Sequence, residues 1–180
     1  MDLEQFVLES ENLNVSFLKK RLSEFSNVAA LVFYSALKDD ISLANFVTDL
    51  HSHVDIPYSG LKVTGFFCNK KYYSDAIGVM VLCGDLKVST QRVNINYSDF
   101  DSCSDQICNQ LVECDLCLVW SASTYYDNPY IDAILRRVSE KKSKTCLVGG
   151  ISAPDPLVFS DLGVYNDSIS LMTVFPILGY

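Results

Sequence analysis

Cysteine and histidine are the side chains whose spacing comes nearest to a catalytic or metal-binding motif. Cys114 and Cys117 have CxxC spacing, but a redox pair sits at a helix N-terminus and this pair begins an apolar, strand-like run. A zinc site needs a second pair of ligands, and the other cysteines are poorly spaced for it. His51 and His53 do not share one helical face, which favours a solvated pair. We therefore expect no metal site and no redox site.

The chain has no recognisable catalytic motif. HExxH, GxSxG, P-loop and GxGxxG patterns are missing from the sequence. Carboxylates are scattered over predicted loops and form no evident acid–base pair. Gly149-Gly150 is too short a pattern to indicate a phosphate site, and close packing of the backbone explains it better. The sequence predicts neither catalysis nor a cofactor.

Small polar residues recur at the ends of the predicted strands. In a parallel α/β sheet, ligands bind at the carboxyl ends of the strands, so these positions are the candidate ligand-binding residues. Serine and glycine also occur there for ordinary turn chemistry, and that alternative stays open. Trp120 either walls such a pocket or packs in the core. The candidate set is Ser35, Cys68, Asn69, Trp120, Ser121, Ser123, Gly149, Gly150 and Ser152.

Composition places the chain among globular proteins. It has 180 residues, 49% of them apolar, and a formal net charge of −8. The apolar fraction excludes wholesale disorder, no apolar run approaches the length of a membrane-spanning helix, and the acidic balance argues against nucleic acid. Seven cysteines, an odd number in mostly apolar surroundings, favour free thiols in a reducing compartment. We expect a cytoplasmic protein that binds neither membrane nor nucleic acid.

Hydrophobic periodicity predicts an α/β fold of mostly parallel buried strands with crossover helices. Residues 2–25 fit a helix through an apolar stripe from Val15 to Phe25, so residues 1–26 are expected to be an N-terminal helical segment before an α/β domain at 27–180. The predicted buried strands are 27–34, 61–68, 76–83, 114–120 and 144–151, with a final strand pair within 165–176. Helices are predicted after Asp39 or Asp40, around Ile107, and from Asn128.

A weak internal repeat runs through this pattern. Ser121 follows Ser35 by 86 residues and Gly149 follows Gly65 by 84 residues, each pair at matching points of a strand or its end. The near-constant offset predicts two similar strand–helix–strand halves, at residues 27–113 and 114–175.

Two stretches carry a family resemblance. The string Cys146-Leu-Val-Gly-Gly-Ile-Ser-Ala-Pro-Asp155, followed by Val158-Phe159 and by Gly163-Val-Tyr-Asn-Asp167, resembles the FIST family (F-box and intracellular signal transduction). The upstream Ala30-Leu-Val-Phe-Tyr-Ser and Val63-Thr-Gly-Phe-Phe fit the same order, although the family often has Val-Gly-Cys-Ser where this chain has Gly65-Phe-Phe-Cys68. The likeness is to the N-terminal FIST module and spans roughly residues 27 to 175.

The resemblance implies a non-enzymatic sensory domain that binds small ligands such as amino acids. In F-box proteins the module instead belongs to substrate receptors of ubiquitin ligases. A C-terminal FIST module usually follows, so such a module, in trans or in a longer parent chain, is an expected partner. We therefore predict a small-ligand-binding signalling module. The alternatives are a protein-recognition scaffold and an enzyme with an unrecognised polar site at the strand ends.

Overall fold

A computed structural model of the chain describes residues 1–111, 114, 116–122, 130–152 and 156–176. A short 3-10 turn at Ser10–Asn12 follows the first strand. In chain order the other elements are β1 (Asp2–Glu9), α1 (Val15–Leu22), β2 (Val28–Ser35), α2 (Asp40–His53), β3 (Tyr58–Lys62), β4 (Phe66–Cys68), β5 (Lys71–Tyr73), β6 (Ala76–Cys83), β7 (Leu86–Asn94), α3 (Phe100–Gln110), β8 (Leu116–Ala122), α4 (Tyr130–Lys141), β9 (Cys146–Ser152), β10 (Val158–Ser160), β11 (Gly163–Tyr165) and β12 (Ser168–Pro176).

The strands form two main sheets and one small hairpin. The six-stranded sheet has the order β1-β6-β2-β3-β10-β11, and the four-stranded sheet has the order β7-β12-β8-β9. In both, the first two neighbouring pairs are antiparallel, and the pair that follows, β2–β3 or β8–β9, is parallel. The hairpin β4–β5 stands apart as a two-stranded unit.

Three apolar clusters divide the molecule into four layers. Side chains of α1 and α2 pack on one face of the six-stranded sheet, and side chains of α3 and α4 pack on one face of the four-stranded sheet. The third cluster contains strand and loop residues only and lies between the two sheets, where Val32 and Leu61 meet Trp120 and Met172. Helices therefore cover the outer face of each sheet, and the inner faces pack on each other.

Local sequence explains where α2 begins and how it packs. Asp39 caps the helix because its carboxylate accepts hydrogen bonds from the backbone N–H groups of Ile41 and Ser42, each at 3.1 Å. The predicted apolar stripe is confirmed in the described residues, since Leu43, Phe46, Val47 and Leu50 are all buried against the first sheet. The stripe fixes which face of α2 meets the sheet.

The mixed α/β class is confirmed, but the expectation of mostly parallel strands is wrong. Among the described strand pairs, only β2–β3 and β8–β9 are parallel. The strands β6 and β12 run against their neighbours in the middle of each sheet. A continuous apolar run predicts only that a strand is buried on both faces. Here the helices bury the outer face of each sheet and the other sheet buries its inner face, so that the strands are buried without being parallel.

The N-terminal segment is partly mispredicted. Residues 15–22 are helical as expected, but residues 2–9 form β1, which pairs with β6 over its whole length. Only Phe6 and Leu8 of β1 are buried, with one residue between them, so the apolar alternation of a strand is very short here.

Two further strand predictions are corrected by the pairing. The predicted strand 61–68 is divided, because β3 ends at Lys62 and Phe66–Cys68 belongs to the hairpin. A Cβ added at Gly65, between the two, would overlap the Tyr72 hydroxyl. The predicted final strand pair is also wrong: β11 pairs with β10 in one sheet, whereas β12 lies in the other sheet.

The predicted halves 27–113 and 114–175 do not follow the sheets. The first range contains β7 and α3, which belong to the four-stranded sheet, and it omits β1. The second range contains β10 and β11, which extend the six-stranded sheet beyond β3. The predicted division between residues 113 and 114 therefore cuts across both main sheets.

Candidate functional site

A cavity of about 410 Å³ lies between α4 and the parallel strands β8 and β9. Its walls are apolar side chains, the backbone of two glycines, one hydroxyl and one carboxylate; the lining residues are Val119, Ser121, Asp132, Leu135, Leu147, Val148, Gly149, Gly150 and Ile151. Cavities of this size and mixture hold small organic ligands in many proteins.

The pleat of β8 decides which of its side chains reach this cavity. Cys117 and Val119 belong to the cluster under α3 and α4, whereas Leu118 and Trp120 belong to the cluster between the sheets. Because successive strand residues point to opposite faces, Ser121 lies on the helix side with Val119. The strand therefore presents a hydroxyl to the cavity and the indole to the interior.

Ser121 is the most unusual polar group at the cavity. The residue is 1% exposed, and its hydroxyl has no hydrogen-bond partner within the described part of the chain. Burying a hydroxyl without a partner costs about 1–3 kcal/mol, so nearly all buried polar groups are paired. A ligand that hydrogen-bonds to Ser121 would offset this cost.

Packing against β8 requires glycine at position 149. Gly149 is the register partner of Val119, and a Cβ added to it would overlap the Val119 carbonyl oxygen. At Gly150, by contrast, an added Cβ would meet its nearest neighbour at 3.7 Å, an ordinary contact. Close backbone packing therefore accounts for the first glycine of the pair.

Asp132 supplies the charge at the cavity. It lies in the first turn of α4 and is exposed. Among the described residues that line the cavity it is the one charged side chain, and no described ion pair includes it. The site is consequently negative on one side and neutral or apolar elsewhere.

The remaining candidate residues lie elsewhere or outside the described residues. Ser35 is buried at the end of β2, in the other sheet. Trp120 packs between the sheets, edge-on to Tyr34 with ring centroids 5.6 Å apart. The Ser152 hydroxyl donates to the Lys62 carbonyl at 2.8 Å and accepts from the Leu157 N–H at 3.0 Å. Ser123 lies outside the described residues. Ser121, Gly149 and Gly150 are thus the candidates that meet at the cavity.

Cys68 and Asn69 belong to the β4–β5 hairpin instead of a strand end of the first sheet, because the chain turns away after Lys62. Asn69 has φ +49° and forms the hairpin turn with Lys70. Cys68 lines a separate cavity of about 230 Å³ beside Phe6, Tyr34 and Phe66. Burial raises the pKa of the Tyr34 hydroxyl. This second cavity is mainly aromatic and offers a ligand few polar groups.

A third depression of about 690 Å³ separates α3 from α4. It is an open groove with charged side chains of both signs, including the ion pair of Arg137 with Asp101. Exposed ion pairs of this kind contribute little to stability or binding, so the groove is a weaker candidate than the cavity beside Ser121.

Sequence reasoning missed a polar seam between the sheets. Thr90 of β7 donates a hydrogen bond to Asp161, in the turn between β10 and β11, and the Arg92 guanidinium lies 3.8 Å from the Tyr165 ring centroid. Burial raises the pKa of Asp161 although the Thr90 hydrogen bond opposes that shift. These contacts join segments about 70 residues apart, and no local pattern indicates them.

Asp132 was also missed. The apolar stripe of α4 (Ile131, Ile134 and Val138) does predict which face packs on the sheet. The first turn of a crossover helix lies near the carboxyl end of the preceding strand, so an acidic residue there is a usable signal for a charge at the site.

A scan against protein-family models finds no match to this chain, and a search of curated proteins finds none either. Within the described ranges, no group of three or more His, Cys, Asp or Glu side chains is placed to hold a metal ion. No helix in those ranges has both the length and the apolar character needed to cross a bilayer.

Proposed function

We propose that this chain is a non-catalytic module that binds a small ligand, such as an amino acid, in the cavity between α4 and the β8–β9 pair. The observation that carries the proposal is the Ser121 hydroxyl, buried at the cavity wall without a partner among the described residues. Val119, Leu135 and Leu147 supply an apolar wall for the carbon atoms of such a ligand.

The proposed biological role is sensory or signalling, as the FIST resemblance implies, and the proposed location is the cytoplasm, which the odd number of cysteines favours. The Val148-Gly149-Gly150 segment that carries the resemblance is also the segment that lines the cavity. This coincidence supports the N-terminal FIST-like assignment, and with it a C-terminal FIST module as partner, in trans or in a longer parent chain.

We propose further that the fold is a structural repeat in which each unit contains two helix crossovers. The shared order β1-β6-β2-β3 and β7-β12-β8-β9, with the same strand directions, supports repeat units near residues 2–83 and 86–176. In the first unit, α2 connects the parallel neighbours β2 and β3, and α1 connects β1 to β2, which run in the same direction with β6 between them. In the second unit, α4 connects β8 to β9, and α3 connects β7 to β8 with β12 between them. Ser35 and Ser121 then occupy equivalent strand ends.

The repeat provides a matched pair of variants for testing the binding site. Ser121→Ala should weaken ligand binding by about 0.5–1.5 kcal/mol, the net value of one neutral hydrogen bond. Ser35→Ala removes an equally buried hydroxyl without a described partner, but in the other sheet, so it should leave binding unchanged. Calorimetric titration with the twenty amino acids, followed by both variants on any ligand found, measures this. No saturable binding across the panel by the folded protein would reject the proposal.

A protein-recognition scaffold is the second candidate, and the hairpin favours it. Phe67 and Tyr72 are 76% and 52% exposed, and their ring centroids lie 5.2 Å apart. Paired exposed aromatics are typical of binding surfaces. If this surface binds a protein, Phe67→Ser together with Tyr72→Ser should abolish the interaction, whereas Ser121→Ala should not affect it.

A further inference from the structure

The two parallel strand pairs place a serine and its register partner in comparable positions. Ser35 of β2 lies opposite Lys62 of β3, and Ser121 of β8 lies opposite Ile151 of β9. Each pair is bridged by a helix with an acidic residue in its first turn, which is Asp40 in α2 and Asp132 in α4.

In the six-stranded sheet, the acidic residue in the first turn of the helix pairs with an ammonium group of the chain itself, that of Lys62. The Lys62 Nζ lies 2.5 Å from the Asp40 carboxylate, and the Lys62 side chain is only 10% exposed. A lysine is seldom so deeply buried unless its charge is paired. The acidic first turn of α2 therefore serves to pair a cation delivered from the neighbouring strand.

In the four-stranded sheet the corresponding residue carries no charge. Ile151 takes the place of Lys62 opposite the strand-end serine, and Asp132 belongs to none of the described ion pairs. The cavity of about 410 Å³ lies between them, with the unpartnered Ser121 hydroxyl at its wall. The carboxylate of Asp132 and the hydroxyl of Ser121 are both present, but Ile151, the register partner of Ser121, carries no ammonium group.

We propose that this cavity binds a small organic ammonium ion with an apolar carbon tail, and that Asp132 pairs with the ammonium as Asp40 does with Lys62. The inference rests on the proposed ligand-binding function and specifies which end of the ligand is recognised. Ser121 accepts a hydrogen bond from the ammonium or bonds to another polar atom of the ligand. Leu135 and Leu147 pack on the carbon tail.

Electrostatics disfavour a carboxylate in the same place. No lysine or arginine is among the described residues that line the cavity. Asp132 also borders the α3–α4 groove, where Arg136 lies one turn further along α4, and no described ion pair joins the two side chains. The chain as a whole carries a net charge of −8. An anionic group would meet the Asp132 carboxylate without a compensating cation, so an amine should bind better than the acid with the same carbon skeleton.

Four probes separate these contributions: 3-methylbutylamine, 3-methylbutanol and 3-methylbutanoate, which share one five-carbon skeleton, and leucine, which is the amine with a carboxylate added beside the ammonium. Binding is measured by calorimetry and by amide chemical shifts of β8 and β9. The amine should bind more tightly than the alcohol by about three- to tenfold, the value of a partly exposed charged hydrogen bond. The acid should bind more weakly than the alcohol, and added salt should reduce both the amine's advantage over the alcohol and the acid's disadvantage.

Two pairs of variants test the residues. Asp132→Asn should remove the amine's advantage over the alcohol, while Glu140→Gln, on the same helix but outside the cavity lining, should retain it. Ile151→Lys supplies a tethered ammonium like that of Lys62 and should abolish amine binding. Ile151→Met, of similar length but uncharged, should preserve it.

The outcomes distinguish this inference from the function on which it rests. If the alcohol or the acid binds as tightly as the amine, or if Asp132→Asn leaves the amine's advantage intact, ammonium recognition is wrong while ligand binding stands. If none of the probes and none of the twenty amino acids binds the folded protein, the ligand-binding function itself fails.

Discussion

Gly149 and Gly150 are adjacent residues with opposite steric surroundings, which makes them a sensitive test of the strand packing. Because a Cβ at position 149 would overlap the Val119 carbonyl, Gly149→Ala should lower the free energy of unfolding by about 1–3 kcal/mol through overpacking. Gly150→Ala meets only ordinary contacts and should change it by less than about 0.5 kcal/mol. Urea denaturation midpoints measure both, and equal midpoints would contradict the observed approach of β9 to β8.

Asp161 should make the protein's stability depend on pH in the direction opposite to that of most carboxylates. Burial raises its pKa, so the folded protein holds this proton more tightly than the unfolded chain. Its contribution therefore favours folding at low pH and is lost as pH rises through the raised pKa. Asp161→Asn should stabilise the protein at pH 7, and the gain should shrink as pH falls towards the ordinary range of aspartate.

Asp105 provides the comparison for the Asp161 experiment, because its pKa is shifted in the opposite direction. Lys141 lowers its pKa through a hydrogen bond and its charge, so Asp105 favours folding above its normal pKa, and this contribution is lost in acid. Asp105→Asn should be slightly destabilising at pH 7, and this loss should shrink as pH falls through the lowered pKa. Denaturation midpoints of both variants across pH measure this, and a shift of the same sign for both would contradict it.

The cysteines differ widely in accessibility. All seven are unbonded in the structure, and Cys146 is the exposed one. Burial raises the pKa of Cys117 to about 12, so its thiolate is scarce at neutral pH. A thiol reagent should modify Cys146 first in the folded protein and reach seven groups after denaturation without reductant. Fewer than seven would indicate a disulfide or a modified thiol.

At the scale of elements, the start of α2 depends on one side chain. Asp39→Ala removes the acceptor for two backbone N–H groups and for the Ser42 hydroxyl, and should cost about 0.5–2 kcal/mol of stability. Ser42→Ala removes only the hydroxyl and should cost less. Thermal unfolding of the two variants provides the comparison; an equal or larger loss in Ser42→Ala would contradict the capping role.

The elements that sequence predicts well are those whose signal is local. The stripes of α2 and α4 and the apolar runs of β2, β6 and β8 appear within a few residues, and these elements were predicted at nearly the right places. Strand β1 was missed because what makes it a strand is pairing with β6, about 70 residues further along the chain. The division of 61–68 likewise depends on Tyr72 from the returning arm of a hairpin.

The candidate site was predictable to the same extent. Ser121, Gly149 and Gly150 line one cavity, as their predicted positions suggest, because a strand–helix–strand unit brings the ends of two parallel strands together. Trp120 is next to Ser121 in sequence but lies on the other face of β8, and only the tertiary structure decides which face borders the cavity. Whether Asp132 borders the cavity depends on how α4 is rotated over the sheet, and the sequence alone does not determine that rotation.

At the scale of the whole molecule, the two sheets should unfold together. They share an apolar interior in which Tyr34 of one sheet contacts Trp120 of the other. Trp120 fluorescence, which reports this interior, and far-UV circular dichroism, which reports all the helices, should therefore give the same midpoint in urea. Separate midpoints would mean that the sheets are independent folding units.

The attachment of β10 and β11 to the first sheet also affects how the protein is synthesised. Strands β1, β2, β3 and β6 leave the ribosome long before Val158, which pairs with Leu61 across 97 residues of chain. At translation rates of about 5–20 residues per second, this interval lasts roughly 5–20 s. During that time the outer edge of β3 is an open hydrogen-bonding edge, the kind of surface that pairs wrongly with other chains. The nascent chain therefore has a defined interval in which this edge is exposed to wrong pairing, and that interval ends when the β10–β11 segment emerges and closes the edge.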